Sequence, residues 1–232
     1  MYMDRISPEY TSPFIRYLAT HFQDGDRLPS LAAISQELGV SLAALREQLE
    51  VARALGLVEV RPRTGVRRLP YRFQPAVMQS LGYAAAVDDA NFHQFAELRT
   101  NLEAAYWYQA VGLLTSEDRR HLCGLVEQAE VKIQGNPPQI PHAEHRELHL
   151  SIYRRLNNPF VTGILEAYWE LYEAVGLAMI TEFEYLKTVW QYHRKMVDAI
   201  NRNDLDLGYR ALVEHADLLH RRPQPANRQH FE

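Results

Sequence analysis

Four histidines have a spacing that could do chemistry. His145 and His149 are four residues apart, so in a helix both imidazoles share one face, a workable chelate spacing. His193 and His215 lie in two successive helical stretches, each eleven residues from Asp204, where Asn201-Arg202-Asn203-Asp204 interrupts the pattern. In an antiparallel helical hairpin, positions equidistant from the bend are level, here about 16 Å from it. The four rings can therefore converge inside a bundle, where metal and cofactor sites are built. A single helical histidine is otherwise an ordinary surface or satisfied core residue, and the chain has ten histidines in all.

The elements that must hold these rings are helical. Phe95, Leu98, Leu102, Ala105 and Tyr106 mark one face of a helix beginning near Asn91. A second helix is expected from Ser116, as N-cap, to about Gln134, stopped by Gly135-Asn136-Pro137-Pro138. A third runs from about His142 to Leu156 and ends at Asn157-Asn158-Pro159; others follow from Pro159 to about Ile180, Phe183 to Ile200 and Asp204 to His220. No run after residue 75 alternates with period two. The expectation is an all-α antiparallel bundle of about six helices over 90–222, with a disordered Pro-, Gln- and Asn-rich tail over 223–232.

The first seventy residues differ. Residues 8–22 are amphipathic, with Phe14, Ile15, Leu18 and Phe22 on one side. Ser30 caps a short helix to about Leu38, Gly39 ends it, and Ser41 caps a second helix through Leu55, with Gly56 as its stop. Two helices joined by a tight Gly-containing turn are a helix-turn-helix signature. Residues 57–61 and 66–69 then alternate as two short strands around Pro62-Arg63-Thr64-Gly65, a hairpin wing. The fold class expected is mostly α: a winged helix-turn-helix over 1–70, a linker over 71–89 with Pro70 and Pro75 at its start, and the helical bundle.

Charge follows the same division. The chain has 232 residues and a formal charge of −4, which at first sight disfavours nucleic acid. Up to residue 75 there are ten Arg, no Lys and eight acidic residues, a net of +2; the remainder is −6. One Cys excludes a disulfide framework and a Cys-based zinc module and fits a reducing compartment. No apolar run approaches the ~20 residues that span a bilayer, and Met1–Arg5 lacks the apolar core of a signal peptide. A cytoplasmic location, with no membrane partner, is expected.

Leu28-Pro29-Ser30, Leu38-Gly39-Val40-Ser41, Arg46-Glu47, Leu49 and Gly56–Arg61 with Gly65 together resemble the DNA-binding domain of GntR-type bacterial transcription regulators, over roughly residues 10–69. The resemblance implies a recognition helix over 42–55 in the major groove and a wing touching phosphates or the minor groove. Where the family has an Arg after the Pro-Ser turn this chain has Ala32, and where it has Arg-Thr-Thr this chain has Leu42-Ala43-Ala44. Leu and Ala offer only contact with thymine methyls. Arg46 is then the remaining base or phosphate contact, Ser30 and Ser41 phosphate contacts at helix N-termini, and Arg61, Arg63, Thr64 and Gly65 the wing contacts.

Phe95–Arg99 with Leu102-Glu103, His149 with Asn158-Pro159, and His193 with Ala199-Ile200, Asp204 and His215 are similar to the FCD ligand-binding domain of the FadR-like branch of that family, over roughly 90–221. That resemblance implies a divalent metal on one Asp and three His. His149, His193 and His215 match the three; the Asp position is His145 here. Imidazoles suit transition metals, zinc or nickel first and iron or copper next, rather than magnesium or calcium. Four neutral rings leave the ion's charge uncancelled and favour an anionic, carboxylate effector, for which Arg99 is the candidate clamp.

The function expected is a homodimeric, metabolite-responsive transcription regulator on a pseudo-palindromic double-stranded DNA operator, and not an enzyme. Two alternatives stand beside it. One is a metalloenzyme-like bundle in which a histidine-bound metal activates water; the other is a metal-stabilised dimer that no longer binds DNA.

Overall fold

The computed structural model describes residues 10–174 and 183–220, so the expected tail over 223–232 and the predicted end of one helix near Ile180 lie outside the described residues. The described residues form ten α-helices and one two-stranded antiparallel sheet, in two compact units that divide between Val87 and Asp88.

In the first unit, α1 (Pro13–His21) begins later than the amphipathic pattern suggests. Ser12 caps it, its side chain accepting from Ile15 N, and Pro13 supplies a ready-made φ at the first helical position. Helix α2 (Leu31–Leu38) is capped by Ser30 and stopped by Gly39 at φ 64°. Helix α3 (Leu42–Ala54) is capped by Ser41, which accepts from Ala44 N. The wing is β1 (Val58–Arg61) paired with β2 (Gly65–Arg68), in the register Val58 opposite Arg68 and Val60 opposite Val66. A third short segment, absent from the sequence expectation, joins the sheet: Arg27 bridges to Arg67, and Leu28 N donates to Val66 O. Phe14, Ile34, Leu45, Leu49, Val58 and Val66 close one apolar core over these pieces.

The expected linker over 71–89 is mostly helix. Helix α4 (Gln74–Val87) follows Phe73 and belongs to the first unit. Its start rests against the end of α3: a Cβ on Gly56 would lie 2.6 Å from Pro75 Cγ. Pro75 was the reason to expect a loop, yet proline is tolerated in a first helical turn, where the missing N–H has no intrahelical partner.

The second unit holds α5 (Ala90–Gly112), α6 (Ser116–Gln134), α7 (His142–Tyr153), α8 (Pro159–Ala174), α9 (Phe183–Arg202) and α10 (Leu205–His220). The cap of α6 is Thr115 rather than Ser116: its hydroxyl accepts from Asp118 N while Asp118 reaches back to Thr115 N, a reciprocal capping box. One 3-10 turn, Arg154–Leu156, and left-handed Asn157 end the third helix of the bundle. The core runs through Trp107, Leu122, Val126, Leu148, Ile152, Leu165, Met196 and Val197. Helices α9 and α10 pack as the predicted hairpin.

Gly208 sets how closely α10 approaches α5. A Cβ there would meet Trp107 Cζ2 at 2.5 Å, and Trp107 is fully buried with its indole N–H donating to Leu205 O at 2.9 Å. A rigid ring tied to the opposing backbone cannot yield, so Gly208→Ala is expected to destabilise the protein by about 1–3 kcal/mol despite alanine's better helix propensity. The change in urea midpoint at unchanged slope checks this.

Candidate metal centre

The helices deliver the four histidines to one point. His145 and His149 come from α7, His193 from α9 and His215 from α10, and one ring nitrogen from each lies within 4.8 Å of the others. His149 Nε2 is 3.2 Å from His193 Nε2, which is 3.2 Å from His215 Nε2. The ring of His145 sits 4.7 Å from that of His193. His149, His193 and His215 are buried; His145 reaches the edge of the cluster, with its Nε2 buried.

The donor set fits a divalent transition metal. Two nitrogens on a tetrahedral zinc, each at 2.0–2.1 Å, are about 3.3–3.4 Å apart, close to the spacing of these Nε2 atoms. Nδ1 of His193, Nδ1 of His215 and Nε2 of His145 are buried without a hydrogen-bond partner among the described residues. Burial holds all four rings well below the ordinary imidazole value. Neighbouring ring charges and Arg99 push the same way, and only Glu103 opposes, at His215. Neutral rings keep the lone pairs a metal needs.

Behind His149 stands a charged pair that sequence reasoning did not identify as a pair. Arg99 and Glu103, four residues apart on α5, are each 1% exposed and joined at 3.1 Å. Arg99 Nη2 is 2.8 Å and Glu103 Oε1 3.2 Å from His149 Nδ1. The Arg99 guanidinium lies 4.9 Å over the Tyr168 ring and 5.3 Å over that of Trp169. Burial raises the Glu103 pKa against the opposing pull of Arg99. Arg99, expected to clamp an effector, thus faces a glutamate and a histidine. The i, i+4 spacing of opposite charges was the available signal for this pair. Glu144, one residue from His145, points elsewhere and pairs with Lys132.

Aromatic walls surround the cluster. Trp169 packs 4.6 Å from His145 and 5.2 Å from His149, and Trp190 packs 4.7 Å from His193. A cleft lined by His142, His145, Tyr172, Tyr185, Trp190 and His215 opens on it. Trp169 Nε1 and Trp190 Nε1 are buried donors without a partner among the described residues.

In the first unit the predicted DNA contacts lie on the surface. Ser30, Ser41, Arg46, Arg61, Arg63 and Thr64 are exposed and Gly65 is half-buried. Ser30 and Ser41 already cap their helices. Arg61 pairs with Glu59 at 2.9 Å, and Thr64 Oγ1 is 3.5 Å from Arg61 O. Arg67 and Arg68 reach back to Gly25 O and Phe22 O, tying the wing to the segment before α2. Arg46 and Arg63 have no such partner among the described residues.

The depressed histidine values give a signed pH dependence. Below about pH 6.5 the unfolded chain takes up protons that the native rings refuse, so stability is lost as pH falls from there toward the folded values. Each ring contributes up to about 1.4 kcal/mol per pH unit in that window, and four together up to about 5.5. Metal-stripped protein is expected to lose urea resistance progressively as pH falls below about 6.5. A flat urea midpoint across that range would show that the rings are not held neutral.

Comparison with known proteins accounts for both units. The FCD domain matches residues 94–218, and the description "Bacterial regulatory proteins, gntR family" matches residues 16–67. The HTH-type transcriptional regulator YieP of Escherichia coli (strain K12) is 29% identical over 201 residues, covering 84% of this chain and 85% of its own. YcbG of Bacillus subtilis (strain 168), also described as an HTH-type transcriptional regulator, is 25% identical over 191 residues, covering 82% and 78%. A solved GntR protein of Streptococcus agalactiae shares the fold at a TM-score of 0.63 and 18% identity, over 94% of this chain and 97% of that one. The chain belongs to the gntR family of bacterial regulatory proteins, in its FCD-domain form, a family of transcription regulators and not of enzymes.

Proposed function

We propose that this chain is a homodimeric, cytoplasmic regulator whose FCD domain holds a divalent transition metal on His145, His149, His193 and His215 and senses a small carboxylate through it. The observation that carries the reading is the convergence of four imidazoles, three of them buried and the fourth at the edge of the cluster, within 4.8 Å in a chain that also bears a winged helix. All-imidazole ligation favours zinc or nickel, then iron or copper. When bound, the metal supplies a Lewis-acidic anchor for an anion.

The chain's own groups favour such an anion. The unpartnered indole N–H groups of Trp169 and Trp190 donate only, and so call for an acceptor. His145 and His215 both line the cleft, which is the side of the cluster from which an anion would approach. Arg99 takes part through His149 and Glu103, as the pair behind the ligand. An effector that binds one arrangement of the dimer more tightly than another shifts its DNA affinity by that difference.

On the DNA side, Arg46 is the groove contact, Ser30 and Ser41 present helix N-termini to phosphates, and Arg61, Arg63, Thr64 and Gly65 form the wing contact. The groove-facing start of α3 carries Leu42, Ala43 and Ala44, and the helix also bears Glu47 and Glu50. Affinity is therefore low for a single site and dependent on dimer formation, which doubles the number of phosphate contacts.

Metal analysis of natively purified protein, with selection of bound genomic fragments, tests the whole reading. Replacing Arg46 with Ala is expected to weaken operator binding by about 10–100-fold, from the loss of about 1–3 kcal/mol at one contact; full affinity in a gel-shift would remove Arg46 from the interface. The double variant His193→Ala/His215→Ala is expected to lose metal altogether. Zinc at about 100-fold its Kd is expected to add about 2.7 kcal/mol to wild-type stability and nothing to that variant. A chain that is stabilised by zinc yet shifts no genomic fragment would instead support the metal-stabilised dimer without DNA binding.

A further inference from the structure

One nitrogen beside the cluster faces two partners that cannot both be satisfied. His149 Nδ1 lies 2.8 Å from Arg99 Nη2 and 3.2 Å from Glu103 Oε1. A guanidinium only donates and an ionised carboxylate only accepts. Arg99 can bond this nitrogen only when it offers a lone pair, and Glu103 only when it carries a proton. A neutral imidazole has one N–H, so the choice at Nδ1 fixes the state of Nε2 across the ring. Nε2 is the atom that faces His193 at 3.2 Å.

Solvent does not relieve the conflict. Arg99 and Glu103 are each 1% exposed and His149 is fully buried. Arg99 has a second acceptor in Glu103 Oε2, at 3.1 Å, while its Nε is buried with no partner among the described residues. The pair is held in place from both sides: Tyr168 and Trp169 flank the guanidinium, and Tyr153 donates to the Glu103 backbone carbonyl at 2.9 Å. None of the four clustered side chains is a carboxylate, and Glu103 places one 3.2 Å behind His149, at its Nδ1.

We propose that Glu103 is the positioning residue of the metal site and Arg99 its competitor: Glu103 accepts the His149 Nδ1 proton and frees the Nε2 lone pair for the metal, whereas Arg99 donating to Nδ1 sends the proton to Nε2 and closes that ligand. The inference rests on the four-histidine metal reading. Opening the site moves one proton from Nε2 to Nδ1 within a ring that stays neutral. Arg99 then turns to Glu103 alone. Carboxylates that hold a ligating histidine by its other nitrogen commonly set metal affinity by about 10–100-fold. Here the same carboxylate also carries the arginine that opposes it.

The test uses the full chain labelled with 15N at histidine, stripped of metal and then loaded with Zn2+ alone. Zinc-loaded His149 is expected to show a protonated Nδ1 and an unprotonated Nε2, and the metal-free chain a population with the proton on Nε2. Zinc-loaded His149 lacking the Nδ1 proton overturns the proposal. In a second arm, Glu103→Gln is expected to lower zinc affinity by about 10–100-fold, with Glu103→Asp recovering part of the loss. A Glu103→Gln chain that folds and binds zinc as tightly as wild type also overturns it. A purely structural glutamate would lower the melting temperature of the metal-free variant and leave the His149 tautomer unmoved on zinc loading. If the variant does not fold, the wild-type spectra decide alone. A wild-type chain that takes up no zinc defeats the metal reading itself, whereas zinc uptake with His149 in the wrong tautomer defeats only this inference.

Discussion

Burying four imidazoles together with an arginine and a glutamate at the centre of a helical bundle is the constraint to which the second unit answers. Each unpartnered buried nitrogen costs about 1–3 kcal/mol, and three ring nitrogens of the cluster have no partner among the described residues. The arginine and glutamate offset one another across 3.1 Å, but desolvating both is expensive even when the geometry is good. A bundle can tolerate such a centre only if its remaining interior is well packed. Trp107, Tyr153, Leu122, Leu148, Ile152 and Met196 supply that packing with essentially no exposed surface. Such an interior suits the proposed sensing role, because the binding free energy of a ligand would then become folding free energy.

The same logic explains which helices carry the cluster. Two rings come from α7 at one-turn spacing, and the other two from the α9–α10 hairpin. Neighbouring strips of the same helices pack against α5 and α6, so the position of each ring is set by apolar contacts and not by the ring itself. Gly208 and Trp107 show how tight this is: one methyl at the α10–α5 crossing has no room. The walls of Trp169 and Trp190 do a second job. They lower the local polarity, which strengthens every charge interaction at the site and keeps the rings unprotonated.

Much of this was legible from spacing. The i, i+4 pair on α7 and the equal distances of His193 and His215 from the Asp204 turn follow from helix geometry, which is local and rigid. The winged helix was legible for the same reason: Ser30, Gly39, Ser41 and Gly56 are capping and stop signals that act within a few residues. What escaped was non-local. The bridge from Arg27 to Arg67 joins segments forty residues apart, and no local pattern announces it. Helix α4 escaped because Pro75 reads as a break unless its place in a first turn is known. The shift of a cap from Ser116 to Thr115 is a choice between two adjacent hydroxyls, decided by which one Asp118 can answer.

Arg99 shows most clearly where sequence reasoning stops. An arginine on the first bundle helix can clamp a carboxylate, and the sequence holds one such carboxylate four residues away. Whether that carboxylate belongs to an effector or to the protein depends on which way the helix face turns, and the turn is set by packing against α7 and α8. Once both charges face His149, a chemical consequence follows that neither residue has alone. A lone arginine behind the ring would favour the tautomer that cannot bind a metal through Nε2, and a lone glutamate would fix the tautomer that can. On the proposed reading the pair leaves the ring balanced between them, and metal loading would be a property of α5 as much as of the helices that carry the four histidines.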